Sequence, residues 1–384
     1  MMFWLSVTAM VVATSGCVYL VAATILVGRS VRRPVQSQAK VAPGVTILKP
    51  LYGNEPGLFE NLSSFCTQHY PGHVQIVFGV QNPSDPAIAV VQRLRDAQDA
   101  RDLDLVVEAQ AHGSNRKVSS LVNMQPRIQQ EIVVIADSDI RVDSDYLAEV
   151  VAALNQPGVN AVTCLYHGVP LAGIWSNFSA LFINAHFLPN VIVGMAVGLA
   201  RPCFGSTLAL RHQTLAEIGG FMPFVDKLAD DYAMGAALRA SGGTVAMPPF
   251  SVAHMCADSS LRDFWRHQLR WARTIKNIDP LGYAGSAVAH PLPWALIAMV
   301  LGAFSTTFWP AVAVAATAVV ARVMLLRKVK RTYALPSQSY WLAPACDLLS
   351  FVLFVESFFG RRVSWKDYQY FTAGNWITHR ESRA

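Results

Sequence analysis

The sequence predicts an α/β domain with a mainly parallel sheet and flanking helices, joined to transmembrane and interfacial helices. Between residues 42 and 283, short apolar runs alternate with helical stretches, a pattern typical of parallel strands connected by helical crossovers. Long apolar runs near both ends of the chain predict membrane helices. Apolar residues make up 53% of the chain and charged residues 15%, which indicates a protein with membrane spans rather than a wholly soluble enzyme.

The first membrane segment runs from Phe3 to Val27 and contains no charged residue. Its length suits a transmembrane helix. A cleaved signal peptide would be shorter and would carry its basic residues before the apolar run. In this chain the basic residues follow it, at Arg29, Arg32, Arg33 and Lys40. We therefore expect residues 1–28 to form a retained anchor whose C-terminal end faces the cytoplasm.

Residues 284–360 are predicted to hold further membrane helices. The apolar run 294–326 is too long for one straight span, and the polar residues and Pro310 at its middle predict a hairpin of two short spans. The residues expected to return this hairpin to the cytoplasm are Arg322, Arg327, Lys328, Lys330 and Arg331. A last segment, 340–360, is interrupted by Pro344, Asp347 and Glu356.

That last segment conflicts with the positive-inside rule. A full span over 340–360 would place Arg361, Arg362 and Lys366 outside the cell. The segment is therefore either re-entrant or interfacial, or it is an exception to the rule. Residues 361–384 are predicted to form a basic tail.

The net charge of +6 comes mostly from residues beside the predicted spans, which suits anionic lipid headgroups better than nucleic acid. The chain has no aromatic-interleaved basic motif of the kind that binds RNA or DNA, so no nucleic-acid partner is expected. The six cysteines are scattered without metal-ligand spacing, and a cytoplasmic domain would keep them reduced.

Within the α/β domain, acidic residues follow the predicted strands. Strands are predicted at 45–50, 74–80, 105–108 and 132–136, and helices at 57–69, 85–99 and 119–130. Asp137 and Asp139 follow the last of these strands, and Asp85 follows the second. Paired carboxylates at a strand end can hold Mg²⁺ or Mn²⁺, and the cation can hold a diphosphate. A solvated turn is the alternative interpretation of the pair.

Two further loops carry candidate site residues. Lys117 is either a phosphate-binding cation or an ordinary surface lysine. Asp230 and Asp231 precede a predicted helix, where either could be an N-cap or a first-turn charge. The functional interpretation makes Asp231 a general base that removes the proton of an attacking hydroxyl.

A basic and aromatic helix is predicted after residue 261. Arginines recur there at helical spacing with two tryptophans among them, at Arg266, Arg270, Arg273, Trp265 and Trp271. Arginine suits a departing diphosphate, and an indole provides an apolar wall or a donor. The alternative is a basic helix lying on the bilayer surface.

Four motifs in order resemble those of a known family. The set Asp85-Pro-Ala, Asp137-Ser-Asp139, Asp230-Asp231-Tyr and His267-Gln-Leu-Arg270-Trp271 resembles the D, D, D, (Q/R)xxRW pattern of ceramide glucosyltransferases, glycosyltransferase family 21. Within that family the chain most resembles bacterial hopanoid-biosynthesis glycosyltransferases. The segments that carry this closer likeness are Leu48-Lys-Pro, Phe78-Gly-Val, Gly113-Ser-Asn-Arg-Lys-Val and the run 135–142.

The resemblance implies a GT-A fold, an inverting mechanism, a UDP-sugar donor and a lipid alcohol acceptor taken from the membrane. It places Asp85 near the nucleotide and Asp231 as the base. It assigns the metal and diphosphate to Asp137 and Asp139, and closure over the diphosphate to Arg270 with Trp271. His267 stands where the family has glutamine or arginine. It can still hydrogen-bond a phosphate, with a charge that depends on pH.

The apolar stretch 174–200 is long enough to span a bilayer. Spanning would place Asp137 and Asp231 on opposite sides of the membrane, so we expect either interfacial helices that dip into the leaflet or a buried helix pair.

The sequence therefore predicts a multi-pass protein of the bacterial inner membrane with its catalytic domain on the cytoplasmic side. The resemblance implies a reaction that moves N-acetylglucosamine from UDP-GlcNAc to a bacteriohopanepolyol, with ceramide and UDP-glucose as the alternative pair. Two different functions remain open: a processive polysaccharide synthase, for which the chain has few spans, and a non-catalytic scaffold that binds lipid or nucleotide.

Overall fold

The computed structural model describes residues 1–31, 42–98, 102–336, 338–360, 362–365 and 368–380. The chain divides into two compact units. The unit that we call the membrane unit comprises Met1–Arg32, His167–Arg201 and Asp258–Gln369. The unit that we call the sheet unit comprises Arg33–Tyr166, Pro202–Ala257 and Tyr370–Ala384. This division differs from the predicted domain of residues 42–283, because 167–201 and 258–283 belong to the membrane unit.

The described residues form strands and helices that are numbered in chain order. The strands are β1 Val45–Pro50, β2 Val74–Val80, β3 Asp102–Val107, β4 Ile132–Ile135, β5 Ile140–Arg141, β6 Val159–Thr163, β7 Leu165–Pro170, β8 Leu208–Arg211, β9 Thr244–Ala246, β10 Ser251–Cys256, β11 Arg362–Trp365, β12 Tyr368–Ala373 and β13 Trp376–Arg380. The helices are α1 Met2–Ser30, α2 Leu58–Cys66, α3 Ala87–Ala97, α4 Arg116–Met124, α5 Tyr146–Leu154, α6 Gly173–Phe182, α7 Leu188–Ala196, α8 His212–Glu217, α9 Asp230–Ala240, α10 Leu261–Ile278, α11 Pro280–Gly285, α12 Pro291–Leu301, α13 Phe308–Thr332 and α14 Ala343–Ser357.

The described part of the sheet unit forms a seven-stranded sheet in the order β3-β2-β1-β4-β8-β6-β9. Neighbouring strands are parallel except where β8 pairs with β4 and β6. The predicted α/β class with a mainly parallel sheet is therefore confirmed. Strands β1 and β2 have the predicted bounds, because runs rich in valine and isoleucine suit strands buried on both faces.

The sheet gathers its polar loops at one edge. The parallel strands β1, β2 and β4 end at the same side, as parallel strands must. Because β8 runs antiparallel to β4, with Leu208 opposite Ile135, the loop that enters β8 lies at this same side. The loops after β4 and before β8 therefore meet, although some 70 residues of chain separate them.

Four helices of the described chain are long and apolar enough to cross a bilayer, and a bent pair adds a fifth candidate. The four are Met2–Ser30, Gly173–Ala196, Phe308–Thr332 and Tyr340–Ser357. The bent pair joins Pro280–Ala289 to Pro291–Leu301 at an angle of 67°. Helices α12 and α13 are separated by a turn over residues 302–307, the region in which the sequence predicts the turn of a hairpin. Arg32, Arg33 and Lys40, predicted to follow the first anchor, lie outside the described residues.

Helix α1 packs through a face of small residues. Its buried positions include Ala9, Ala13, Gly16 and Ala23. A Cβ atom built on Gly16 would lie 2.5 Å from the carbonyl oxygen of Val288, so the backbones approach too closely there for a larger residue. Small residues permit this kind of close helix contact in membranes, where apolar burial does not itself favour association between helices.

Arg322 is buried within the membrane unit, which corrects its prediction as a cytoplasmic flanking residue. Its side chain contacts Asp347, with 2.8 Å between Nε and Oδ1. It also donates to the carbonyl oxygens of Ala185, at 2.5 Å, and Ala289, at 2.7 Å. In the sequence Asp347 only interrupts an apolar segment. In the structure it is the partner of a buried cation.

Both carbonyl groups that Arg322 contacts precede a proline by four residues. Ala185 lies in the π-helical turn before α7, which contains Pro189. Ala289 ends a 3-10 turn before α12, which contains Pro293. Proline has no N–H, so neither carbonyl can accept the usual helical hydrogen bond from the residue four positions later. The guanidinium supplies a donor to each of them.

Segment 173–196 consists of α6, a π-helical turn at Ile183–Phe187 and α7. Of its most apolar stretch, 67% is buried inside the protein. That burial favours the interpretation as buried helices over the one in which they face lipid.

The predicted basic tail contains the strands β11, β12 and β13. The aromatic and β-branched side chains between residues 368 and 377 suit strands. The prediction of a tail considered only the basic residues of this segment and so missed the strands. Arg361 and Lys366 lie outside the described residues.

Candidate active site

Asp137 and Asp139 lie directly after β4, at the edge where the polar loops meet. The backbone N–H of Asp137 donates to the carbonyl of Gly205 at 3.0 Å, which ties the loop after β4 to the loop before β8. About a third of each carboxylate side chain is exposed, at 37% for Asp137 and 36% for Asp139. Both acids can therefore reach a ligand from solvent.

Lys117 joins two of the predicted acidic motifs. Its Nζ lies 2.7 Å from Oδ1 of Asp137 and 3.3 Å from Oδ2 of Asp230. Burial by itself would lower the pKa of Lys117, but Asp137, Asp230 and Asp231 outweigh it and raise that pKa above its ordinary value. The interpretation as a surface lysine is wrong, because this cation is held charged among carboxylates.

Helix α4 begins one residue before Lys117, and its capping residue also belongs to the site. Asn115 accepts a hydrogen bond from the backbone N–H of Val118 at 3.1 Å, as an N-cap does. Its Nδ2 donates to the carbonyl of Lys227 at 2.9 Å and to Oδ1 of Asp230 at 3.3 Å. With Lys117 on its other oxygen, Asp230 is fixed by two side chains and is more than a charge in the first helical turn.

Asp231 lies in the first turn of α9, with each carboxylate oxygen bound by a backbone N–H. Gly205 donates to Oδ2 at 2.7 Å and Tyr232 donates to Oδ1 at 2.7 Å. Burial raises the pKa of Asp231 to about 7, with a further contribution from Asp230 and an opposing one from Lys117. A carboxylate with a pKa near neutrality is suited to accept a proton at physiological pH.

Gly205 connects the two candidate functional acids, and sequence reasoning missed it. Its carbonyl accepts from Asp137 and its N–H donates to Asp231. A Cβ atom at this position would lie 2.6 Å from Oδ2 of Asp137 and 2.9 Å from Nζ of Lys117. Glycine before a strand is common in proteins, so the sequence alone could not identify Gly205 as a site residue.

Asp85 is buried and holds backbone groups. Both of its oxygens accept from the N–H of Gly53, at 3.0 and 3.1 Å, and Oδ1 also accepts from Ala87 at 2.8 Å. The carboxylate therefore ties the loop after β1 to the start of α3. Gly53 has a φ of +72°, a left-handed conformation that favours glycine. The predicted place of Asp85 beside a nucleotide remains a prediction.

Two more residues of the sheet unit contact the site and were missed. Nδ1 of His254, in β10, lies 3.6 Å from Oδ1 of Asp139. Asn375 contacts the loop before α9: its carbonyl accepts from Leu228 at 2.9 Å and its Oδ1 accepts from Ala229 at 2.8 Å. Neither position carries a sequence motif, because each contact depends on strand pairing between distant segments.

The remaining predicted residues lie on α10, in the membrane unit. Nδ1 of His267 lies 3.2 Å from Oδ2 of Asp258, and its ring packs edge-on against Trp271 with 4.7 Å between centroids. Asp258 also accepts from Ser179 at 2.5 Å. The carboxylate therefore fixes the orientation of the histidine. Arg270 lies in the same helix, three residues after His267.

Arg266 and Arg273, which recur with Arg270 at helical spacing, contact protein groups. Arg273 donates to the carbonyls of Phe359, at 2.8 Å, and Arg362, at 2.5 Å. Arg266 pairs with Asp263 at 3.2 Å in the first turn of α10. Helical spacing does not distinguish an arginine that caps a neighbouring segment from one that meets a ligand.

The donor set of the sheet unit suits a hard divalent cation. Asp137 and Asp139 supply carboxylate oxygens, and the surrounding carboxylates Asp230 and Asp231 leave an excess of negative charge over Lys117. No cluster of three or more metal-ligating side chains occurs among the described residues. A Mg²⁺ site does not require such a cluster, because Mg²⁺ is usually bound through one or two carboxylates together with substrate phosphates and water.

The mainly parallel sheet, with carboxylates gathered where its strands end, has the GT-A fold. The chain belongs to glycosyl transferase family 21, whose family model matches residues 8–374. The predicted family and fold are thereby confirmed.

Curated relatives in this family are ceramide glucosyltransferases. Ceramide glucosyltransferase 1 of Caenorhabditis elegans is 25% identical over 232 residues, which cover 60% of this chain and 49% of that protein. A ceramide glucosyltransferase of Candida albicans is 30% identical over 158 residues, covering 36% of this chain and 29% of that protein. The match thus spans half or less of the length of these relatives.

Among solved structures, a mannosyltransferase from Pyrobaculum calidifontis in complex with GDP-Man and Mn²⁺ is similar over nearly the whole chain. The two are 22% identical with a TM-score of 0.58, and the match covers 92% of this chain and 99% of the other. The likeness shows a shared fold.

Proposed function

We propose that the protein transfers a sugar from a UDP-sugar to the hydroxyl group of a membrane lipid, with inversion at the anomeric carbon. The observation that carries the proposal is the arrangement around Gly205, which bonds to Asp137 on one side and to Asp231 on the other. The acid that we assign to the diphosphate and an acid with a pKa of about 7 therefore contact the same glycine, which supports the proposal.

Asp231 acts as the general base in this proposal. Its ionised carboxylate removes the acceptor hydroxyl proton as the oxygen bonds to the anomeric carbon and the bond to UDP breaks. The N–H groups of Gly205 and Tyr232 hold its two oxygens in place. Products are the glycosylated lipid and UDP, with the proton on Asp231.

The donor diphosphate is assigned to Asp137, Asp139 and Lys117, with Asp85 near the nucleotide. When bound, Mg²⁺ or Mn²⁺ would neutralise charge on the diphosphate at Asp137 and Asp139. By motif, Arg270 and Trp271 stabilise the departing diphosphate, and His267 takes the place of the family's glutamine or arginine. We expect chelation to abolish transfer and added Mg²⁺ or Mn²⁺ to restore it.

The proposed donor and acceptor are UDP-GlcNAc and a bacteriohopanepolyol. Ceramide with UDP-glucose is the second candidate, favoured by the names of the curated relatives. The four apolar helices support a place in a membrane, which we propose to be the bacterial inner membrane with the sheet unit on the cytoplasmic side.

The deciding experiment incubates the purified full-length protein with each UDP-sugar and each lipid, follows UDP release and identifies products by mass spectrometry. A single glycosylated lipid supports the proposal. Polymer formation would identify a polysaccharide synthase, and the absence of UDP release with every pair would indicate a non-catalytic binding protein.

A further inference from the structure

Lys49 is a fully buried lysine directly beneath the loop formed by residues 137–139. It is the fifth residue of β1, with 0% of its surface exposed. Its Nζ donates to the carbonyl oxygen of Asp137 at 2.6 Å and lies 3.9 Å from the centroid of the Phe65 ring. Burying an ammonium group is costly, so a lysine at this place in a strand core requires a compensating contact.

The loop above Lys49 is held at each of its three carbonyls by a different element. The carbonyl of Asp137 accepts from Lys49 in β1, and also from the N–H of Ile140 at 3.3 Å. The carbonyl of Ser138 accepts from Asn61 in α2 at 3.2 Å. The carbonyl of Asp139 accepts from Met255 in β10 at 2.8 Å. Of these donors, Lys49 is the one whose side chain can carry a positive charge.

We propose that Lys49 is a positioning residue for the donor: its hydrogen bond to the carbonyl of Asp137 fixes the direction in which the carboxylates of Asp137 and Asp139 meet a divalent cation and diphosphate. The inference rests on the proposed function, since it assigns Lys49 to the same site. Outer groups that orient metal ligands commonly determine much of the affinity.

If Lys49 had a purely structural role, its replacement would affect stability differently. Methionine has a similar length and would pack on Phe65, and it avoids the cost of taking an ammonium group out of water. If Lys49 serves the site, Lys49→Met should leave the melting temperature unchanged or raise it while weakening donor binding. A structural lysine would lower the melting temperature on replacement.

The test measures UDP affinity by calorimetry on the full-length protein in detergent, with and without Mn²⁺. We expect Lys49→Met to bind UDP about 10- to 100-fold more weakly than wild type when Mn²⁺ is present. Without Mn²⁺ its UDP affinity should equal that of wild type. Lys227→Met is the matched control, because it removes a positive charge from the same unit at a side chain stacked on Trp376, and it should behave as wild type.

Asp139→Ala tests the proposed metal site separately from the proposed role of Lys49. If Asp139→Ala retains the Mn²⁺-dependent gain in UDP affinity, the proposed metal site fails. If Asp139→Ala loses that gain and Lys49→Met keeps it, the inference about Lys49 is overturned on its own. Lys49→Leu serves as a second variant should Lys49→Met fail to fold, and misfolding of both would overturn the inference by making Lys49 a structural residue.

Discussion

Lys117 and Asp137 form an ion pair, with 2.7 Å between Nζ and Oδ1, and Lys117 reaches Asp230 through the same ammonium. One cation therefore links the acid after β4 to the acid at the start of α9. Two segments that the chain separates by more than 90 residues are held in one site by this contact.

Lys117→Met should destabilise the protein by about 3 kcal/mol, because it leaves the buried carboxylate of Asp230 and the partly exposed carboxylate of Asp137 without their cation. The measurement is the midpoint of thermal or denaturant unfolding. Adding Asp230→Asn to Lys117→Met should restore part of the lost stability, because the double variant has one unpaired negative charge fewer. Strictly additive effects of the two substitutions would contradict the ion-pair interpretation.

Asp231→Asn should lower the rate of transfer by about a hundredfold to ten-thousandfold, because an amide cannot take the acceptor proton. Binding of UDP should persist. Asparagine has one acceptor oxygen and so satisfies only one of the N–H groups of Gly205 and Tyr232, which makes a melting temperature a necessary control.

Asp230→Asn is the matched comparison at the neighbouring position. It should reduce stability more than rate, because Asp230 bonds to Lys117 and Asn115. If Asp230→Asn abolished transfer and Asp231→Asn left its rate nearly unchanged, the general base would be Asp230.

The rate of transfer should rise with pH through about 7, as Asp231 loses its proton and becomes able to act as a base. The raised pKa of Asp231 also makes stability depend on pH. Because the folded state holds this proton more tightly than the unfolded chain, whose carboxyl titrates near 3.8, the contribution of Asp231 to stability falls between about pH 4 and pH 7. A pH–rate profile of kcat/KM checks the first point, and a flat profile through neutrality would contradict it.

Arg322→Lys should destabilise the membrane unit by about 1–3 kcal/mol, because one ammonium cannot replace three directed contacts and leaves buried acceptors unsatisfied. Replacing Pro189 and Pro293 with alanine restores an N–H four residues after each carbonyl that Arg322 contacts. Arg322→Lys should therefore cost less in that background, as measured by melting temperature in detergent. An equal cost in both backgrounds would show that the prolines are unrelated to the role of Arg322.

Local patterns predicted much of the backbone. The strands at 45–50 and 74–80 have the predicted bounds, and the segment predicted as an anchor is helical from Met2 onward. Hydrophobic periodicity and turn residues act within a few positions of each other, so the chain itself contains that information. The acids after β4 were likewise visible, because strand ends and their polar residues are adjacent in sequence.

The tertiary structure decided which charged residues are buried and what they contact. Arg322, Arg273 and Lys49 look alike in a sequence, yet the first binds Asp347 and two carbonyls, the second binds the carbonyls of Phe359 and Arg362, and the third lies beneath the loop that carries Asp137. The burial of a charge is favourable only where distant segments supply partners, and composition cannot reveal those partners. The sequence thus determined the family, the sheet and the acids, while strand pairing and helix packing determined how Gly205, Lys117 and Lys49 bring those acids into one site.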